Sequence, residues 1–286
     1  MIRYLITEVE LEARIDMYSP GWKGRAASRA AIIRKLRRYE EATGIWGEIK
    51  SVYMELQHDK CAYCERKLEG EPYGRIEHDL EHFRPKSSVT KWPSGKYKFS
   101  TGDGWSEGYY LLAYSIFNYA TSCKVCNSTL KRDYFPIYGN RGPQSDHPRV
   151  LLSERPLLIY PLGDLDDDPQ DLIAFVGIIP IARTKSGYKS YRGRVTVDFF
   201  ALERREHLRE ERARQLQGLW IALELADSTT DPTTRADALN AIDWLQSRSS
   251  PHSSCVQSFH ALYKADPSSA HEVYVSVRNY LTSRSL

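Results

Sequence analysis

Two cysteine pairs, Cys61-Ala-Tyr-Cys64 and Cys123-Lys-Val-Cys126, constrain this chain more than any other feature. Two residues between cysteines let both sulfurs turn onto one ion, and two such pairs complete a tetrahedral four-thiolate site. Four cysteines leave no open coordination position, so a zinc ion held by them braces the fold rather than doing chemistry. One pair alone could equally be a redox motif; two, each in a turn-like context, point to zinc. The second pair begins 59 positions after the first ends, further than in a compact zinc ribbon, so the chain between must build structure of its own. Cys255 has no partner in sequence and is expected to be a buried thiol.

That zinc reading suits a reducing compartment, where cysteines serve metals more often than disulfides. The N-terminal stretch MIRYLITEVELEARID has no signal-peptide apolar core, and no apolar run is long enough to cross a membrane, so a cytoplasmic protein is expected. Hydrophobic residues make up 41% of the chain, enough for a buried core. A net charge of +3 says little about partners. Local basic groups say more: one runs from Lys23 to Arg38, and a second holds Arg84, Lys86, Lys91, Lys96 and Lys98. Such groups can meet phosphates or can simply be solvated faces.

Residues 26–44 predict an amphipathic helix with Ile32, Ile33, Leu36 and Tyr39 near one side and Gly44 as its stop. A second helix is expected over 45–59, leading directly to Cys61. The Pro- and Gly-rich stretch 90–108 predicts a long loop. Residues 109–120 are apolar and β-prone, with a short helix as the alternative, and a helix is expected to start near Cys123. The acidic stretch GDLDDDPQD lacks EF-hand spacing and predicts a turn with a helix N-cap. Residues 172–182 predict a β-hairpin, and the chain from Asp198 onward predicts helices.

The segment IEHDLEHFRPKSS holds His78, Glu81 and His82, a literal H-x-x-E-H match to an inverted zinc-protease motif. That motif works only on a helix, where residues four apart share a face. Pro85 and Gly74 leave too little room for one. In a strand, His78, Leu80 and His82 point one way and Asp79, Glu81 and Phe83 the other. A chain leaving the strand at Pro85 can turn Glu81 and His82 towards a shared site, with Asn118 and Asn127 available nearby and Lys131 and Arg132 one turn beyond.

With Cys61-x-x-Cys64, Asp79 to Lys86, Asn118, Cys123-x-x-Cys126-Asn127, Lys131 and Phe135-Pro136 assembled, the chain resembles an HNH endonuclease of the ββα-metal superfamily. More narrowly, it resembles the HNH nuclease subunit of Septu-type anti-phage systems and related retron-associated HNH proteins. The sharp resemblance covers residues 61 to 136. Glu81 stands where many relatives have Asp and Asn127 where many have His; a similar H-N-N set occurs in the HNH domain of RNA-guided CRISPR nucleases. The resemblance implies phosphodiester hydrolysis, with DNA as the expected substrate. His82 is then the general base, Glu81 and Asn127 the ligands of a catalytic Mg²⁺ or Mn²⁺, and Asn118 a brace for the loop carrying His82. Lys86, Lys131 and Arg132 are candidate phosphate contacts, and His78 is expected to be structural. The resemblance also implies an ABC- or SMC-type ATPase partner.

The expected fold class is α+β. Residues 1–58 form an N-terminal helical segment, residues 59–138 a small zinc-braced ββα-metal (HNH) core, and residues 139–286 a hairpin and mostly helical region. Two other functions fit parts of the sequence. A non-catalytic zinc-braced module binding nucleic acid or protein would use the knuckles and basic groups, and a zinc metalloprotease would use the H-x-x-E-H match.

Overall fold

A computed structural model describes residues 1–70 and 73–284. The chain is a mixture of helices and small sheets, an α+β arrangement. Helix α1 (Glu8–Tyr18) opens with a capping box, in which Thr7 and Glu10 satisfy each other's backbone N–H groups. Helix α2 (Trp22–Leu36) stops at Arg37 in a left-handed conformation, earlier than the expected Gly44. Ile33 is buried, but Ile32 and Leu36 face solvent. The chain after Arg37 packs back against the helix start: the Ile45 carbonyl accepts the indole N–H of the buried Trp22 at 2.9 Å, and Trp46 turns towards His82.

The helix expected over 45–59 forms in two pieces, a 3-10 turn Trp46–Ile49 and helix α3 (Lys50–Leu56). His58 and Asp59 follow in left-handed conformations and reverse the chain into Cys61. Gln57, fully buried, bonds both the N–H and the C=O of Thr121 at 2.8 Å, as a strand neighbour would. Strand β1 (His78–His82) pairs antiparallel with β2 (Tyr119–Cys123), with Glu81 opposite Ala120 and His82 opposite Tyr119. A π-helix, Val125–Lys131, follows β2 directly. The expected loop joins the two strands, interrupted near β2 by 3-10 turns at Tyr110–Leu112 and Ile116–Asn118. Gly108 lets this loop press on the chain leaving β1, because an added Cβ would stand 2.5 Å from the Ser88 nitrogen.

Asp168 caps the short helix α4 (Pro169–Leu172), as the acidic turn predicts. The hairpin forms from β3 (Ile173–Val176) and β4 (Ile179–Ala182). Helix α5 (Gly187–Phe199) was not anticipated, and the long helix expected from Asp198 begins only at α6 (Glu206–Ser228). Helices α7 (Pro232–Gln246), α8 (Ser253–Ala265) and α9 (Pro267–Thr282) complete the C-terminal part. One core runs from Met1 to Leu208, and a second fills the helices around Leu219, Trp220, Ile242 and Phe259. Among the described residues, no helix is long and apolar enough to cross a membrane.

Candidate metal centre and the polar site beside it

The reversal after α3 delivers Cys61 and Cys64, the end of β2 delivers Cys123, and the first turn of the π-helix delivers Cys126. Their sulfurs lie within 4.8 Å of one another, all four residues are buried, and none is in a disulfide. Cys64 and Cys123 are 3.9 Å apart at sulfur. Zn–S bonds in a tetrahedron require sulfur separations of about 3.8 Å, so the donor set fits zinc and the cluster could hold that ion. Four thiolates around one Zn²⁺ carry a net negative charge. Arg205, just before α6, offsets it by donating Nη1–H to Cys126 Sγ at 3.1 Å, while the Cys123 backbone N–H donates to Cys61 Sγ at 3.4 Å. Sequence reading missed Arg205, which lies about eighty residues away from the sulfurs it serves.

A second polar cluster grows from the end of β1. His82 Nε2 lies 3.0 Å from the Ala113 carbonyl, which also accepts the Tyr119 hydroxyl at 2.5 Å. A carbonyl only accepts, so Nε2 carries the proton and Nδ1 keeps its lone pair. Trp46 and Tyr119 stand edge-on to the imidazole at 4.6 and 5.0 Å. Burial, reinforced by the charge of Lys86, holds the His82 pKa well below the usual histidine value, so the ring is neutral at neutral pH.

The backbone after His82 is clamped at successive groups. Lys131 Nζ donates to the His82 carbonyl at 2.8 Å, and the Phe83 N–H donates to the Asn118 carbonyl at 2.7 Å. The Asn118 side chain accepts from the Arg84 N–H at 2.8 Å and donates to the Arg84 carbonyl at 3.0 Å and the Leu112 carbonyl at 3.2 Å. The Tyr109 N–H closes on the Pro85 carbonyl at 2.8 Å. Asn118 therefore braces this loop through backbone hydrogen bonds.

Glu81 is buried beside the same loop. The Tyr63 hydroxyl donates to its Oε1, and Lys131 Nζ lies 3.2 Å from Oε2, which makes no hydrogen bond. Burial raises the Glu81 pKa, with Lys131 and Tyr63 opposing it. Lys131, expected on a phosphate-facing surface, is instead 1% exposed, because the carboxylate and carbonyl draw its ammonium inward. Asn127, expected to aim at Glu81, donates Nδ2–H to Asp79 Oδ2 at 2.9 Å, a carboxylate that Lys124 also grips at 2.6 and 2.8 Å. Asp79 and Glu81 alternate to the same side of β1, so the two carboxylates are neighbours with separate partners.

Lys86 is half-buried, and its Nζ lies 4.8 Å from the Tyr39 ring and 4.7 Å from the Trp46 ring. Arg132 is exposed over the Tyr134 ring at 5.6 Å. His78 donates Nε2–H to the Glu69 carbonyl at 2.9 Å, a structural bond as expected. His78, Glu81 and His82 lie on a strand and not on a helix, which removes the geometry an inverted zinc-protease motif needs. Cys255 is buried, and its thiol donates to the Gly177 carbonyl at 3.4 Å.

The chain is similar to the Septu protein PtuB of Bacillus mycoides (strain KBAB4), with 31% identity over 201 residues. The likeness takes in 70% of this chain and 61% of that protein, so the chain spans about three fifths of the length of this relative. No family model matches, and no solved structure matches.

Proposed function

We propose that this chain is an HNH-type endonuclease that hydrolyses DNA phosphodiester bonds and serves as the nuclease component of an anti-phage defence system. The likeness to a Septu protein supports the defence role. The observation that carries the chemistry is His82: a neutral imidazole with Nε2–H locked on the Ala113 carbonyl and the Nδ1 lone pair left as the acceptor. Nδ1 takes a proton from water as the water oxygen attacks phosphorus. The P–O3′ bond breaks, and the leaving oxygen takes a proton from solvent. Lys131 and Asn118 fix the base by holding the His82 carbonyl and, two residues on, the N–H and C=O of Arg84.

The buried Glu81 Oε2, paired with the Lys131 ammonium at 3.2 Å, is a hard oxygen with the chemistry to bind Mg²⁺ or Mn²⁺. Glu81 and Asn127 would hold that ion, which when bound stabilises charge on the phosphate and leaving oxygens. The exposed Arg132 and the half-buried Lys86 would contact phosphate. An ABC- or SMC-type ATPase is the proposed partner, and the cytoplasm the proposed compartment.

One observation favours a second reading, a non-catalytic zinc-braced binding module: Glu81 already has Tyr63 and Lys131 as partners, and Asn127 has Asp79. Plasmid cleavage with added Mg²⁺ or Mn²⁺ separates the two. The nuclease reading expects cutting by the wild type and none by a folded His82→Ala variant. Equal cutting by both sinks the HNH mechanism, and DNA binding without cutting, even with the ATPase partner supplied, favours the module.

A further inference from the structure

The chain between α2 and α3 builds a ledge over His82. Trp46 stands edge-on to the imidazole, and Tyr39 lies 6.1 Å from Trp46 between ring centres. Lys86 reaches over both rings. All three side chains are half-buried, so each keeps part of its surface towards solvent. Lys86 makes no hydrogen bond or ion pair among the described residues, although burial and the nearby Lys131 already disfavour its charge. Glu41, on the same ledge, opposes that shift without bonding Lys86, so a partly desolvated cation over two rings still has room for an incoming anion.

The ledge is held rigidly. An added Cβ on Gly44 would stand 1.8 Å from the Trp46 ring, so the indole occupies the space that a side chain there would fill. The segment is tied down by Trp22 on the Ile45 carbonyl, by Arg29 on the Thr43 carbonyl at 2.9 Å, and by Tyr114 on the Glu41 carboxylate. Lys35 and Arg37, both exposed, precede Tyr39 in the chain, and Glu40 and Glu41 follow it.

On the nuclease reading above, we propose that Tyr39, Trp46 and Lys86 form a nucleotide-gripping subsite for an unpaired stretch of DNA. The rings stack a base, and Lys86 holds the phosphate beside it. A paired base keeps both faces inside its own duplex stack, so a ring platform next to the catalytic base favours a strand that is single or locally opened.

The test uses the full-length His82→Ala protein without added divalent ions, so that binding is read apart from cutting. Fluorescence anisotropy compares a labelled single strand, the same sequence as a duplex, and an abasic strand of equal length. The single strand should bind about tenfold more tightly than the abasic one. Tyr39→Ala should weaken single-strand binding by about tenfold, leave the abasic strand unaffected and be rescued by Tyr39→Phe. Lys86→Met should weaken both strands. Gly44→Ala, which displaces the indole without removing it, should reproduce the Tyr39→Ala pattern. Equal loss on both strands in Tyr39→Ala, or no loss on either, overturns the subsite and leaves the nuclease reading standing. Failure of every strand and the duplex to bind also overturns the subsite, and the nuclease reading is then decided by plasmid cleavage.

Discussion

Asn118 does at the residue scale what a strand neighbour does at the scale of a sheet. Its one amide satisfies the N–H and C=O of Arg84 and the C=O of Leu112, all away from water. Asn118→Ala would leave the N–H and C=O of Arg84 buried without partners, while the Leu112 carbonyl keeps the Ser115 N–H at 3.2 Å. At about 1 to 3 kcal/mol for each such group, less what local relaxation recovers, the loss of stability should be about 3 kcal/mol. Urea denaturation should show a lower midpoint at unchanged slope. A midpoint shift worth less than about 1 kcal/mol would mean that the loop holds its shape without this residue. His82, Glu81 and Asn118 could be picked out in the sequence because each belongs to a short pattern. The inward turn of Lys131 could not, because its cause is an ion pair with Glu81, which the chain brings near only after β1 and the π-helix have packed.

The cysteine knuckles and the β3–β4 hairpin were legible at the element scale because spacing and turn chemistry are local. Helix α5 was hidden because Gly187, Gly193, Val195, Thr196 and Val197 all disfavour a helix in isolation. The helix forms because Gly193 lets it pack tightly: an added Cβ would lie 2.3 Å from the Leu172 carbonyl and 3.0 Å from the Ala182 Cβ. Arg205 was equally illegible, being an ordinary basic residue until α6 carries it to the sulfurs. Arg205→Ala should leave one zinc per chain but loosen it, with transfer to a competing chromophoric chelator favoured by about tenfold. The doubly substituted Cys61→Ser, Cys126→Ser chain should lose the metal outright and melt at lower temperature. Unchanged zinc content in that chain would refute the thiolate site.

The C-terminal helices are joined to the knuckle at the scale of the whole molecule. Lys60 Nζ donates to the Ser250 carbonyl at 2.9 Å, Glu65 accepts from the Ser254 hydroxyl, and the His252 N–H donates to the Glu65 carbonyl at 3.2 Å. The buried His252 ring reaches Glu211 on α6 at 2.8 Å. Burial lowers its pKa, with Glu211 opposing and Arg212 assisting. The folded state therefore binds its proton less readily than the unfolded chain. Its contribution to stability is full above the ordinary value of 6.5 and is lost as pH falls below it. One such proton contributes a slope of at most about 1.4 kcal/mol per pH unit. The stability of wild type relative to His252→Gln, measured by denaturation from pH 8 to pH 5, should fall only on the acid side, and parallel curves would refute the assignment. This joint also has a consequence for the newborn chain. All four cysteines leave the ribosome well before Arg205, Ser250 and Ser254. At about 5 to 20 residues per second, roughly ten seconds separate the last thiol from the segments that cover it. Through that interval the thiols meet zinc or oxidant without the arginine or the helices that later shield them, so the hazard of wrong sulfur chemistry falls on the chain during its synthesis.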